Sequence, residues 1–259
     1  MQSFAVINTE FGKTTLKRCQ EHGSRTSFIN WRNSMAKTPR TADKRMASLT
    51  RLFSWAVDKE IMARNPVARP KRLYKGHRAE KIWSPHDHQA FEFVASRVLL
   101  DAKLLADETG QRQGDLLALK WSAYDGQRLR FTQSKTKAKV SILCADHLKK
   151  RLDELKRINQ EREQPTLTIL TTQHGKPWQS GFGASWGKAK RKAGLVDRTF
   201  HDLRGSFVVR CIASGLTLEQ IAQVTGHSMD DLRTLERYYM GRNEAIADSV
   251  ILTINGVGT

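Results

Sequence analysis

Cysteine is scarce: 259 residues contain only Cys19, Cys144 and Cys211, and no two stand at CxxC spacing. An odd, scattered set excludes a disulfide scaffold and a zinc ribbon, and suits a reducing compartment. No run of about eighteen apolar residues is present, and the N-terminus lacks a signal-peptide core, so an intracellular chain that crosses no membrane is expected. Acidic residues are also in deficit. Twenty-six Asp+Glu face 44 Lys+Arg, leaving a net charge of +18. Such an excess repels itself unless a polyanion relieves it, and nucleic acid fits best because each neutralised phosphate releases counterions. A membrane surface fits less well, since no basic amphipathic helix carries an aromatic face. Repeats and low-complexity stretches are absent, and 39% hydrophobic residues suffice for a packed core.

Helical periodicity runs from Arg25 to Asn65 through Phe28, Trp31, Met35, Met46, Leu49, Leu52, Phe53, Ala56 and Ile61, with Pro39 between two helices and Asn65-Pro66 ending the second. The run Arg69-Pro70-Lys71-Arg72-Leu73-Tyr74-Lys75-Gly76-His77-Arg78 then reads as a linker between a small helical domain and a larger one. Its cations Arg69, Lys71, Arg72, Lys75 and Arg78 are candidates to track a phosphate backbone. Ser84-Pro85 opens a capped helix, and another helix over Leu99–Glu108 stops at Gly110. Arg128–Gln133 and Lys139–Cys144 alternate apolar with polar around Ser134–Lys137 and predict a hairpin, with Leu167–Leu170 a candidate third strand. Helices are expected over Asp146–Glu161, Ala184–Ala193, His201–Ser214 and Thr217–Val224. The predicted fold is mainly α with a small antiparallel β-sheet. His86 and His88 flank Asp87 in a helix's first turn, where polar residues are ordinary, and no metal site is assigned.

Four separated segments carry chemistry. In Thr109-Gly110-Gln111-Arg112-Gln113-Gly114-Asp115 a guanidinium precedes a helix, beside free backbone N–H groups suited to an anionic oxygen. Lys135 sits at the hairpin tip, able to reach a groove and protonate a leaving oxygen. In Thr199-Phe200-His201-Asp202-Leu203-Arg204-Gly205, His201 and Arg204 share a helix face, placing a proton carrier beside an anion binder. In Thr225-Gly226-His227-Ser228 the glycine ends a helix and puts His227 in a tight turn; Arg237-Tyr238-Tyr239-Met240-Gly241-Arg242 follows a helix length later. Each alone is ordinarily a surface or core feature.

Their order and wording, TGQRQGDLLALKW, QSKTKAKVSI, FHDLRG and TGHS before a late tyrosine, resemble the tyrosine recombinase (phage integrase) family, chiefly integrases of proteobacterial phages and prophages. The resemblance spans nearly the whole chain. It implies a helical core-binding domain over 1–74 and a catalytic α+β domain of the DNA breaking-rejoining type over 75–259. With about two dozen residues before Arg25, no separate arm-binding domain is expected, and the completeness of the first domain is open.

The resemblance further implies that a tyrosine attacks a DNA phosphodiester to give a 3′-phosphotyrosyl link, without metal, ATP or other cofactor. Arg112 and Arg204 would hold the non-bridging oxygens, Lys135 protonate the leaving 5′-oxygen, His201 accept the tyrosine proton and His227 hydrogen-bond the phosphate, with Asp115 in support. The form Tyr-(Leu/Met)-x-Arg selects Tyr239 as nucleophile and leaves Tyr238 as the alternative. The implied partners are double-stranded DNA at attachment sites, further copies forming a homo-tetramer on DNA (monomers or weak oligomers off it), and accessory DNA-bending or directionality proteins. The implied location is the bacterial cytoplasm, on the nucleoid. Ala245–Ile254 would form a helix docking on a neighbouring subunit or on its own core. The rival readings are a catalytically inactive DNA-binding protein of the same fold and a type IB topoisomerase.

Overall fold

The computed structural model describes residues 2–75 and 81–240, without the side chains of residue 2 and residues 238–240. The chain divides into two compact units, Met1–His77 and Arg78–Thr259.

The first unit contains α1 (Gln2–Phe11), α2 (Leu16–Gln20), α3 (Ser24–Ser34) and α4 (Pro39–Asp58). Pro39 sits in the first turn of α4, where its missing N–H costs nothing. Ala42, Met46, Leu49, Phe53 and Ala56 are the buried residues of α4, and the last four pack with Ile7, Cys19, Phe28 and Trp31. Phe28 meets Phe11 and Phe53 edge-on, at centroid distances of 4.9 and 5.2 Å. The second helix ends at Asp58, short of the expected Asn65-Pro66. Glu60 adopts a left-handed φ of 58°, and the Ile61 and Glu60 N–H groups bond back to the Ala56 and Val57 carbonyls, the Schellman pattern that terminates a helix.

The basic stretch read as a linker is tied to this unit as far as Tyr74. Arg32 donates to the Lys71 carbonyl, and the Asp43 carboxylate accepts from the Leu73 and Tyr74 N–H groups at 3.0 and 2.9 Å. The Arg40 guanidinium lies 4.1 Å from the centroid of the Tyr74 ring and donates to its hydroxyl. Arg69, Lys71, Arg72 and Lys75 remain exposed on this strap; Arg78 lies outside the described residues.

The second unit opens with α5 (Pro85–Val94), started by a reciprocal capping box between Ser84 and Asp87. α6 (Arg97–Thr109) buries Leu99, Ala102, Leu105 and Ala106 and ends at Gly110. After α7 (Gln113–Leu117) come β1 (Arg128–Thr132) and β2 (Lys139–Leu143), paired antiparallel from Arg128↔Leu143 to Thr132↔Lys139. The expected third strand is reduced to an isolated bridge between Lys120 and Thr168, because the chain turns into a single 3₁₀ turn at Trp121–Ala123 before pairing can extend. α8 (Asp146–Gln160), α9 (Phe182–Lys192), α10 (Phe200–Ala213), α11 (Leu218–Thr225) and α12 (Met229–Met240) complete the described chain. The core joins α5, α6, the sheet and α8 to an aromatic cluster of Trp83, Phe91, Phe182, Trp186 and Phe200. The fold is mainly α with one small antiparallel sheet.

Candidate active site

Gly110, at φ 62°, turns the chain out of α6; a Cβ there would also lie 2.4 Å from the Phe207 ring. Two residues later Arg112 occupies the N-cap position of α7 with an extended backbone, so its side chain leaves the helix axis. Its Nη1 donates to Gln133 Oε1 at 2.7 Å and its Nη2 to the Gly226 carbonyl at 3.5 Å.

Arg204, on α10, is the most deeply buried cation among the described residues, 2% exposed. Its Nη1 donates to the carbonyls of Gly110 (2.7 Å) and Thr225 (2.9 Å), and its Nε donates to His227 Nε2 at 3.0 Å. Nη2 is buried and finds no partner among the described residues. Burial, followed by the nearby positive charge of Arg112, pushes this guanidinium down to about 9, still charged at neutral pH. A buried cation holding idle donors beside a second cation is matched electrostatically by an anion.

His227 follows Gly226, whose φ of 63° ends α11 and whose missing Cβ would otherwise stand 2.4 Å from Gln133 Oε1. Since Arg204 can only donate, His227 Nε2 must be the accepting nitrogen. The ring hydrogen then sits on Nδ1 and is given to Thr225 Oγ1 at 2.9 Å, which itself donates to the Ile221 carbonyl at 2.7 Å. Burial first, then the charges of Arg204 and Arg112, push the imidazole down to about 3, so it is neutral.

The hairpin is gripped at its start. The Ser134 N–H donates to Asp115 Oδ1 at 2.9 Å and Thr136 Oγ1 donates to Gln133 Oε1 at 2.7 Å, leaving Lys135 exposed in the turn between them. Asp115 is buried. His201 is exposed on α10 one turn before Arg204, behind a capping box of Thr199 and Asp202, and it contributes to the field that depresses His227. Tyr238 and Tyr239 fall on α12, but their side chains, like the whole of Ala245–Ile254, lie outside the described residues.

The structure thus joins Arg112, Arg204 and His227 in one hydrogen-bonded cluster, with Asp115 on α7 bonded to the adjoining hairpin that carries Lys135. Two residues not singled out from the sequence belong to the cluster: Gln111 and Gln133, 1% and 0% exposed. Both stand inside quoted motifs, TGQRQGD and QSKTK, yet neutral amides carry no chemical flag there. Among the described residues no group of three or more His, Cys, Asp or Glu could hold a metal ion; His88 instead lies 3.5 Å from Asp107.

Residues 94–244 match the model of the phage integrase family. The integrase of Escherichia phage HK022 is 28% identical over 76% of this chain and 57% of its own length. The tyrosine recombinase XerC-like protein of Caldanaerobacter subterraneus subsp. tengcongensis is 22% identical over 78% of this chain and 62% of its own. The chain therefore spans about three fifths of the length of these curated relatives. Among solved structures, a lambda integrase dimer bound to a COC′ core site matches with a TM-score of 0.65 and 26% identity, over 89% of this chain and 66% of that one. The Tn1549 transposon integrase in complex with transposon right end DNA shares the fold at a TM-score of 0.66 and 13% identity, over 97% of this chain and 98% of that one. With more than half its length matched by the family model and its fold by these integrases, the chain belongs to the phage integrase family of tyrosine recombinases.

Proposed function

We propose that this chain is a site-specific DNA recombinase that cleaves and rejoins duplex DNA through a 3′-phosphotyrosyl intermediate, for integration or excision of a phage or other mobile element. The observation that carries the proposal is the Nη2 of buried Arg204, which has no partner among the described residues, beside Arg112. Two guanidiniums so placed suit the non-bridging oxygens of one phosphate and the charge that develops on them in the transition state. Tyr239 Oη would attack phosphorus while the P–O5′ bond breaks. The phenol proton passes to His201, and Lys135 protonates the departing 5′-oxygen. The reverse attack by another 5′-hydroxyl rejoins the strands, so no ATP is consumed. Both ring nitrogens of His227 are engaged, by Arg204 and Thr225. In this scheme neutral His227 therefore does not meet the phosphate, contrary to the sequence expectation; it fixes the Nε edge of Arg204 and so aims Nη2. The cations supply the charge stabilisation, so the scheme calls for no metal or other cofactor.

Residues 1–74 would serve as a helical core-binding domain, its exposed strap cations meeting the DNA backbone, and 75–259 as the catalytic domain. The DNA-bound dimer and the Holliday-junction tetramer among the lambda integrase structures support DNA as partner and assembly into a tetramer there. Accessory DNA-bending or directionality proteins and a bacterial cytoplasmic setting belong to the same reading.

The test is a duplex taken from DNA flanking the chain's own gene, nicked beside the cleavage point so that the released fragment diffuses away. A covalent protein–DNA adduct stable to detergent is expected. Binding without an adduct would instead support a non-catalytic DNA-binding protein of this fold.

A further inference from the structure

The buried glutamines form a link that the reaction scheme does not use. Gln133 immediately follows β1, Gln111 lies between α6 and α7, and between them they reach the end of α11. Their orientation is forced. Arg112 Nη1 can only donate, so the atom facing it is Gln133 Oε1, which also accepts from Thr136 Oγ1; both distances are 2.7 Å. Gln133 Nε2 then gives its two hydrogens to Gln111 Oε1 and the Thr225 carbonyl, each at 2.6 Å. Gln111 Nε2 gives its own to the carbonyls of Thr109 (3.0 Å) and Val224 (2.7 Å). Every hydrogen of both amides is used, so rotating either one would break several buried bonds at once. The bonds join the Arg112 segment, the hairpin bearing Lys135 and the turn bearing His227.

We propose that Gln133, backed by Gln111, is a positioning residue for strand cleavage, holding the Arg112 guanidinium in register with the turn that carries His227. The inference rests on the phosphotyrosyl reading for its consequence, though the geometry of the pair stands apart from it. A guanidinium displaced by about 1 Å at such a centre costs on the order of a hundredfold in rate. Gln133→Met keeps volume and apolar packing but removes all four bonds of the amide.

The experiment is a mutant cycle read as the single-turnover rate of adduct formation on the nicked duplex, with duplex affinity and unfolding temperature measured beside it. Gln133→Met should slow cleavage by about 10–100-fold and change affinity by less than about twofold. In an Arg112→Ala background the same substitution should cost less than about threefold, because the group it positions is already gone. An unchanged rate, or an equal loss in both backgrounds, overturns the proposal. Gln111→Met, one bond further from the guanidinium, should show a smaller loss with the same dependence on Arg112, and it decides the matter if Gln133→Met does not fold. Failure of both variants to fold assigns the pair a purely structural role and also overturns it. If the unsubstituted protein forms no adduct, the cleavage reading fails, and the pair is then judged by the Arg112 Nε–H signal in NMR. A dispersed, slowly exchanging signal lost in Gln133→Met sustains the positioning role, and an unaltered one ends it.

Discussion

Arg204 Nε donates to His227 Nε2 at 3.0 Å, and this one bond fixes both the tautomer and the charge of the imidazole. A ring that accepts from a guanidinium cannot also carry a proton at that nitrogen, and burial reinforces the neutrality. The consequence for stability has a definite sign. The folded imidazole titrates near 3 and the ordinary value is 6.5, so between those limits the unfolded chain binds the extra proton. Stability therefore rises with pH across that window, by up to about 1.4 kcal/mol per pH unit from this group. Asp87, Asp107 and Asp153 are held below their ordinary value of 3.8 and lose their contribution only at lower pH. Chemical denaturation from pH 4 to 7 should give a steeper profile for the native chain than for His227→Asn. Parallel profiles would contradict the neutral imidazole.

The two tyrosines should separate cleanly. Tyr239→Phe is expected to abolish the detergent-stable adduct, and Tyr238→Phe to retain most of it, read on a denaturing gel with labelled DNA. Adduct surviving in Tyr239→Phe moves the nucleophile to Tyr238.

Gly226→Ala should damage fold and site together. An L-residue at φ 63° is strained, and its Cβ would enter the space of Gln133 Oε1, 2.4 Å away. The expected loss is about 2–5 kcal/mol of stability, with cleavage falling further than the unfolded fraction explains. Calorimetry beside the adduct assay checks both parts.

The strap predicts an ionic signature. Replacing Arg69, Lys71, Arg72 and Lys75 by Ala should lower the slope of log affinity against log salt by about 0.9 for each cation that meets a phosphate. Asp43→Ala, which frees the Leu73 and Tyr74 N–H groups, should weaken binding even though it raises the net charge by one. Titrations of a fixed duplex at several salt concentrations test this, and an unchanged slope would remove the strap from the DNA surface.

Legibility in the sequence followed the type of signal. Helix ends marked by glycine, Gly110 and Gly226, were readable because the left-handed turn has a compositional flag. The end at Asp58 was not, because Glu60 adopts the same conformation without one. The Ser84 cap and the hairpin were readable from local chemistry. The single bridge at Thr168 was not, since Lys120 lies far away in sequence. In the site, charged residues at motif spacing stood out, whereas Gln111 and Gln133 matter through bonds to distant carbonyls that no local pattern displays. The strap of 69–75 read as a linker because its anchors, Arg32, Arg40 and Asp43, come from helices far upstream.

The idle Nη2 of Arg204 also ties folding to substrate. Nη2 is buried without a partner among the described residues, and a phosphate oxygen can meet it in this arrangement only in the folded state. Any anion able to enter is then a ligand of the native form alone, and by mass action it shifts the unfolding equilibrium with its concentration. The unit that carries Arg204 should accordingly melt at a higher temperature on DNA than off it, and the margin should shrink when Arg204 is replaced by lysine, which lacks that second arm.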